Sequence, residues 1–520
     1  MDAFPLISVL TFTPLVGGLM LVGLGPDRNA LARRMGLAFS LLSLGFAIAV
    51  WTFFDTASME LQFVERHQWV PSLGVEYFVG LDGLSLLMVM LSALVVPMAL
   101  MASWRISERT PLYFALVLFL QAGLFGTFTA LNFVHWFGFW ELSLIPAFFL
   151  IKLWGGPRRS TAATQFFVYT MAGSVALLLG FLAIRMATGK FDFVELASMG
   201  RQNQLEAFLT VKLGWTSLFT TKEGLSLCIF FMVFLGFAVK VPIIPFHTWL
   251  PAAYAEAPTG TTMLLTGLMS KMGVYGFIRI VAPIFPEQMR MALTPLLWLA
   301  VATIICSAAA ACAQRDLKRM LAYSSVNHLG YCMLGLFAAM KFTGDDARMA
   351  AEKAAVLNGV FLQMFNHGLT AATFFCLVGF LEQRSGGLRT LDDFGGLRKI
   401  APVYCGLTGI VLFASLGLPG LSGFVGEFLI FKGPFALAPS AAVVSSLGLL
   451  ITAIFLLTFL QQVFNGPLNE RWSGMPDLSA RERLLVVPAI LLIFALGICP
   501  QVVLSVTNAT VMGMVEALGM

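Results

Sequence analysis

Apolar runs of about 20 residues, the length a helix needs to cross a bilayer, recur from one end of this chain to the other. That recurrence constrains the fold more than any motif does. A backbone inside lipid must satisfy its own hydrogen bonds. Runs of this length do so as α-helices, whereas a membrane β-barrel shows short alternating segments. Fourteen runs are readable, at 4–24, 32–54, 83–103, 112–131, 133–153, 165–187, 225–250, 259–283, 291–312, 319–340, 354–382, 402–432, 441–465 and 484–508. With 58% hydrophobic and 11% charged residues in 520, the chain cannot clothe itself in a charged surface. It reads as an all-α, polytopic membrane protein. The opening "MDAFPLISVL" lacks a basic n-region, so the first run is expected to stay as a span and not to be removed as a signal peptide.

Basic residues crowd the connections after odd-numbered spans: Arg28, Arg33 and Arg34; Arg105 and Arg109; Lys152, Arg158 and Arg159; Arg315, Lys318 and Arg319; Arg384, Arg389, Arg398 and Lys399; Arg471, Arg481 and Arg483. The positive-inside rule then predicts that these connections face the cytoplasm and that both termini lie outside. This bias accounts for the net charge of +5, so no nucleic-acid partner is read from it. The seven cysteines fall in or at the ends of spans without a Cys-x-x-Cys pair, and read as small buried apolar residues. No Gly-rich nucleotide loop follows a strand, and there is no haem or iron–sulfur spacing. The largest connections are 55–82 and 188–224, both on the outer side; 384–401 is a polar connection on the other side, expected to hold a short helix.

Two spans look broken. In "GFAVKVPIIPFHTWLP", 236–251, a lysine, prolines and a histidine interrupt the seventh span. In "FASLGLPGLSGFVGEFLIFKGPF", 413–435, Pro419 and several glycines interrupt the twelfth. The breaks lie five spans apart, and passing through five spans reverses the starting side. Spans 4–8 and 9–13 are therefore expected to be two five-helix units of inverted topology, the pattern of transporters built on inverted repeats. The expected division is an N-terminal three-helix segment (1–110), a first unit (111–285), a second unit (286–466) and a C-terminal helix (467–520).

Ionisable residues deep in apolar spans cost roughly 2.5–3.5 kcal/mol each on insertion scales, so a chain that keeps a row of them is using them. The row is Glu141, Lys240, His247, Lys271, His328, His367 and Glu427. Bland readings stand beside each: a carboxyl kept protonated at Glu141, a snorkelling lysine at Lys240 or Lys271, packed hydrogen-bonding histidines, an acid paired with Lys432 at Glu427. The lysines sit too far inside their spans to snorkel easily. Pro242 removes a donor and disturbs the carbonyl ladder near residue 238, which would open a polar cavity beside Lys240. The histidines titrate near neutrality and suit a relay, with Ser324, Ser325, Asn327 and Asn366 able to hold water nearby. They lack metal-ligand spacing. His67, His135 and Asp82, near span ends, read as interface or helix-cap residues. Acid, base, base, imidazole and acid in sequence describe a proton wire with electrostatic gates.

Five stretches carry a resemblance: "LNFVHWFGFWELSLIPAFFLIKLWGG", "FAVKVPIIPFHTWLPAAYAEAPT", "LKRMLAYSSVNHLGY", "QMFNHGLTAATFF" and "GLPGLSGFVGEF". The chain resembles, over nearly its whole length, the antiporter-like membrane subunits of respiratory complex I, the NADH:quinone oxidoreductase. "WVPSLGVEYFVGLDGLSLLMVML" resembles the M-type chain, also called chain 4. Glu427, where the L- and N-type chains typically have lysine, fits the same pattern, as does the absence of a long lateral helix after the fourteenth span.

The resemblance implies a proton-translocating subunit without a redox centre of its own. NADH, FMN, iron–sulfur clusters and quinone would belong to partner subunits. The partners would be L- and N-type chains and small membrane subunits. Glu141 would pair with Lys240, Lys271 would be the central lysine, His328 and His367 would lie on the polar axis, and Glu427 would be the exit-side group. Two alternatives remain open: a subunit of a multisubunit cation/proton antiporter or membrane-bound hydrogenase, and a non-transporting scaffold. The sequence also departs from the pattern. After "HTWLP" the family commonly has an acid and then a histidine; here Ala252, Ala253 and Tyr254 follow. The connection 188–224 is also long for the family.

Overall fold

The computed structural model describes residues 4–213, 222–341 and 347–517. Its helices in chain order are α1 (Leu6–Val22), α2 (Asn29–Phe53), α3 (Gly83–Ala102), α4 (Thr110–Thr129), α5 (Phe133–Trp154), α6 (Arg159–Thr188), α7 (Phe193–Arg201), α8 (Gln204–Leu213), α9 (Lys222–Lys240), α10 (Trp249–Glu256), α11 (Thr259–Leu264), α12 (Ser270–Gly276), α13 (Ala282–Ile284), α14 (Pro286–Cys312), α15 (Leu317–Ala339), α16 (Ala347–Arg384), α17 (Pro402–Ser415), α18 (Ser422–Leu437), α19 (Pro439–Phe464), α20 (Ala480–Ile498) and α21 (Gln501–Ala517). They group into the fourteen spans read from the sequence. Among the described residues, nine helices are long and apolar enough to cross a bilayer unaided. The seventh and twelfth spans are split, as expected: α9 and α10 flank one break, α17 and α18 the other.

Three features were not anticipated. The eighth span, Thr259–Ile284, is one helix widened twice into π turns, at Leu265–Met269 and Phe277–Val281. The last span bends by 64° between α20 and α21, at Pro500, instead of running straight through 484–508. The connection 55–82 holds an antiparallel hairpin, β1 (Gln62–Val70) with β2 (Val75–Leu81), turned at Gly74. Glu65 of β1 accepts from the backbone N–H of Ile7 (2.9 Å) and Ser8 (3.2 Å), satisfying donors that the start of α1 leaves free. The connection 188–224 is partly filled by α7 and α8, and its residues 214–221 lie outside the described set. Two short 3-10 turns, at Leu391–Asp393 and Leu397–Lys399, occupy 384–401.

Burial sorts the helices. The apolar window of α16 is 100% buried and that of the eighth span 94%, against 28% for α2 and 33% for α19. The peripheral helices turn Leu19, Met20, Leu42, Leu450 and Leu491 outward, the surface lipid requires. The central spine is α16, which packs against α3, α11, α15, α17, α18, α20 and α21. Pairings recur along the chain: α4 with α5 and α6 with α9 in the first half, α14 with α15 and α16 with α18 in the second.

The seven cysteines are all free, and three of them differ from the buried reading. Cys332 and Cys376 are buried and Cys228 and Cys405 partly so, but Cys306, Cys312 and Cys499 are exposed.

The connections after odd-numbered spans meet at one end of the bundle in a charged cluster. Arg389 reaches Glu256 (2.9 Å), Asp316 (2.7 Å) and Glu382 (3.5 Å). Lys318 pairs with Glu382 at 2.6 Å, and Arg158 lies 3.6 Å from Glu256. At the opposite end, Arg66 of the hairpin pairs with Glu76 (2.6 Å) and with Asp192, the N-cap of α7 (3.0 Å).

Candidate functional site

The interior charges gather about the middle of the bundle. Lys271 begins the second α-helical stretch of the eighth span and is fully buried. A buried ammonium needs acceptors, and the π turn before it supplies one. Within the widened turn the Thr266 carbonyl accepts from the Lys271 Nζ, at 2.5 Å, and from Ser270 Oγ, at 3.1 Å. Ser270 Oγ lies at 3.5 Å and His367 Nδ1 at 2.8 Å. The imidazole nitrogen facing Lys271 is therefore an acceptor when the lysine is charged.

From His367 the row continues. Its ring lies 4.9 Å, centroid to centroid, from that of His328, with 33° between the planes. His328 Nδ1 stands 3.1 Å from Glu427 Oε1. Gln363, four residues before His367 on the same face of α16, donates its amide to Glu427 (3.0 Å) and lies 3.5 Å from His328 Nδ1. Because Glu427 only accepts when ionised, His328 presents its proton from Nδ1, which leaves Nε2 as the buried, unpaired nitrogen. Tyr331 stands edge-on to the His328 ring at 5.2 Å. The expected pairing partner of an inert Glu427, Lys432, is instead 3.1 Å from Glu352.

The second break positions Glu427. Gly417, at φ 74° in the turn between α17 and α18, leaves the space the carboxylate uses: a Cβ there would stand 2.7 Å from Glu427 Oε2. Asn366 donates to the Ser422 carbonyl, and Thr370 meets the Ser422 hydroxyl at 3.4 Å, so the break is held to α16.

The first break is built differently. Lys240, the last residue of α9, is 3% exposed, and its Nζ lies 4.8 Å from the centroid of the Trp140 ring. Glu141 is the carboxylate whose field reaches it, yet the two are not within the 4.0 Å of an ion pair, and Glu141 Oε1 has no hydrogen-bond partner. The carbonyls near Pro242 do not open a polar cavity beside the ammonium. The Trp249 indole donates to the Val239 carbonyl (3.0 Å), and Ile243 N–H takes that of Ala238 (3.0 Å). Lys240 rests on an aromatic face instead.

His247 is half-buried between α9 and α10, with an unpaired Nδ1 and Tyr323 as its ring neighbour at 6.2 Å. It does not join the Lys271–His367–His328–Glu427 line. Of the expected water-holding residues, Ser325 bonds Thr266 (3.0 Å) and Asn327 bonds Tyr331 (2.8 Å) and Thr452 (2.7 Å). Asp82 is indeed an N-cap, accepting from Ser85 N–H (2.9 Å), and also pairs with Arg279 at 2.8 Å. Gln363, Trp140 and the Thr266 carbonyl were not singled out in the sequence. Gln363 could have been found from its i, i+4 spacing to His367. Among the described residues no group of three metal-ligating side chains comes together.

Comparison with known proteins places these residues in a context. A family model described as NADH:quinone oxidoreductase/Mrp antiporter, transmembrane region, matches residues 130–452, and one described as the amino terminus of NADH-ubiquinone oxidoreductase chain 4 matches residues 35–127. The chain is 34% identical to NADH-quinone oxidoreductase subunit M of Rhodobacter capsulatus, over 98% of this chain and 96% of that one. It is 33% identical to F(420)H(2) dehydrogenase subunit M of Methanosarcina mazei, over 96% of each. Among solved structures, a chain of respiratory complex I from Thermus thermophilus with bound NADH superimposes with a TM-score of 0.83 at 28% identity, over 99% of this chain and 100% of that chain.

Proposed function

The chain belongs to the transmembrane family shared by NADH:quinone oxidoreductases and Mrp antiporters, in its subunit M branch, and from that premise we propose that it translocates protons for a NADH:quinone oxidoreductase along Lys271, His367, His328 and Glu427. The observation that carries this reading is the unbroken, buried succession of those four groups across α12, α16, α15 and α18. Electrons pass through other subunits, which hold the NADH site, FMN, iron–sulfur clusters and the quinone. This chain contributes the proton path, in contact with L- and N-type chains and small membrane subunits.

The steps follow from the donors and acceptors. The Lys271 ammonium gives a proton to His367 Nδ1, against which it already rests. His367 passes a proton from its other nitrogen to the unpaired Nε2 of His328, directly or through one water. His328 then releases its Nδ1 proton to Glu427, which becomes neutral and ready to discharge. Lys240 and Glu141 act as the gate. Held together they favour the charged lysine; apart, as here, the ammonium has only the Trp140 face and gives up its proton more readily. A change of charge in a neighbouring subunit is what opens the pair. His247 sits beside this gate and relays only if water reaches it.

The two five-helix units, 111–285 and 286–466, are the natural bodies of such a device, flanked by the three-helix segment 1–110 and the bent last span in 467–520. Their matching pairings support this division. The odd connections, rich in arginine, face the cytoplasm in this arrangement, and both termini face outward.

The test is proton uptake and quinone reduction by the intact complex in sealed vesicles. Lys271→Ala and Glu427→Ala each lower coupled uptake roughly a hundredfold or more. Wild-type uptake in both variants sinks the proton line. Partners that co-purify in mild detergent separate the neighbouring readings: NADH- and iron–sulfur-binding chains accompany a respiratory subunit, small antiporter chains or a nickel hydrogenase do not. A scaffold without transport would keep pumping when the charges are removed.

A further inference from the structure

The proton line does not use Tyr254, yet that side chain touches the support of its first member. Tyr254 lies in α10, the far half of the span that Lys240 divides, and is fully buried. Its hydroxyl donates to the Leu265 carbonyl at 2.9 Å. Leu265 is the first residue of the π turn, and its carbonyl also takes the Ser270 N–H, five residues on. The next carbonyl, Thr266, is the one on which the Lys271 ammonium rests, and it accepts from Ser270 Oγ as well (3.1 Å). The Thr266 and Ser270 hydroxyls flank the phenol. The tyrosine is fixed at its other parts too. Its carbonyl accepts from Thr262 Oγ1 (3.1 Å), and its ring stands edge-on to Phe375 of α16 at 5.9 Å.

A π turn replaces well-aligned α-helical bonds with wider ones and persists where something else satisfies the displaced groups. Here the second acceptor site of the Leu265 carbonyl is filled by the phenol. We propose that Tyr254 is a positioning residue for Lys271: its hydroxyl holds the π turn whose Thr266 carbonyl keeps the ammonium within reach of His367. This deepens the proton-line reading and rests on it. It also gives the departure from the family pattern at this position a purpose. A phenol anchored in α10 ties the far half of the broken span to the donor end of the line, so a shift of α10 is transmitted to Lys271 without a charge passing between them. The titratable groups around the ammonium are His367 on α16, with His328 behind it and Cys332 on α15. Lys240 ends α9, which packs on α12.

The experiment uses the intact complex in sealed vesicles, with assembly checked on native gels. Tyr254→Phe removes the donor and keeps the ring. It lowers coupled proton uptake roughly five- to tenfold and moves the pH profile of quinone reduction by about half a unit or more. Tyr254→His, which restores an N–H donor, recovers much of the uptake. 3-Fluorotyrosine at position 254 adds only one fluorine beside the hydroxyl and makes that donor more acidic, so it serves if the phenylalanine variant fails to assemble; a moved pH profile is again the supporting result. Lys271→Ala is the reference. Unchanged uptake and an unchanged profile in the 254 variants, beside an inactive Lys271→Ala, overturn the positioning role and leave the line standing. An active Lys271→Ala overturns the line itself.

Discussion

A buried ammonium must replace the water it has lost, and Lys240 and Lys271 do so in opposite ways. Lys271 has a carbonyl, a hydroxyl and an imidazole. Lys240 has the face of Trp140, held by an indole bond to Ser174 at 3.0 Å, a contact worth about 0.5–2 kcal/mol. Replacing the ring with leucine removes that hold and leaves Glu141 as the only strong attraction. Trp140→Leu is therefore expected to close the pair, lower proton uptake severalfold and shift the Glu141 carboxylate band in infrared difference spectra. Gly417→Ala would drive a Cβ to 2.7 Å from Glu427 Oε2 at a positive φ. It is expected to cut uptake strongly while leaving assembly intact, because the neighbouring turn remains paired to α16. A charge in an apolar run is conspicuous by itself, which is why Lys271, His328, His367 and Glu427 were legible in the sequence. Gln363 is an ordinary polar residue until its two neighbours are known, and nothing in one sequence distinguishes Trp140 from a packing aromatic.

At the scale of elements, prolines and glycines announced both broken spans, since they remove donors or permit left-handed turns that a helix cannot carry. The π turns of the eighth span are marked only by Gly267 within the first and Gly276 before the second, neither at a positive φ, so they do not read as breaks; tertiary contacts such as the Tyr254 bond support them. The hairpin was hidden in what read as an outer connection. It is secured partly through Asp192, which caps α7 through Val194 N–H (2.7 Å) and Glu195 N–H (3.2 Å) and meets Arg66. Burial raises the pKa of Asp192, opposed by those two N–H groups and by the Arg66 charge. A raised carboxyl pKa contributes stability below its unfolded value and loses it as pH rises through the folded one, so the ionised acid gains little from its charge here. Asp192→Asn should therefore leave protease resistance of the α7 segment nearly unchanged at neutral pH. Asp192→Ala, which loses the cap, should weaken it by about 1 kcal/mol.

Over the whole molecule, the fourteen spans and their order were readable because bilayer thickness fixes helix length, while the way connections meet was not. The cluster at the arginine-rich end joins the connections after the fifth, seventh, ninth and eleventh spans, and so would fasten the two proposed five-helix units to each other. Removing Arg389 leaves Asp316 without an ion pair and weakens the hold on Glu256 and Glu382, which keep Arg158 and Lys318, and should lower unfolding stability in detergent by about 1–3 kcal/mol. Arg315→Ala, which breaks an exposed pair with Asp392, should leave the unfolding midpoint where it was. Lys271, His367 and His328 sit near the middle of their spans and Glu427 in the second half of its own, just beyond the break, so the proposed line runs more across the membrane than through it. An elementary charge crossing the full membrane potential exchanges about 2.3 kcal/mol per 100 mV. A proton hopping from Lys271 to Glu427 stays near one depth and exchanges almost none of this. On the proposed line the long middle of the journey would be nearly silent electrically, and the work against the membrane voltage would fall on the short steps at either end.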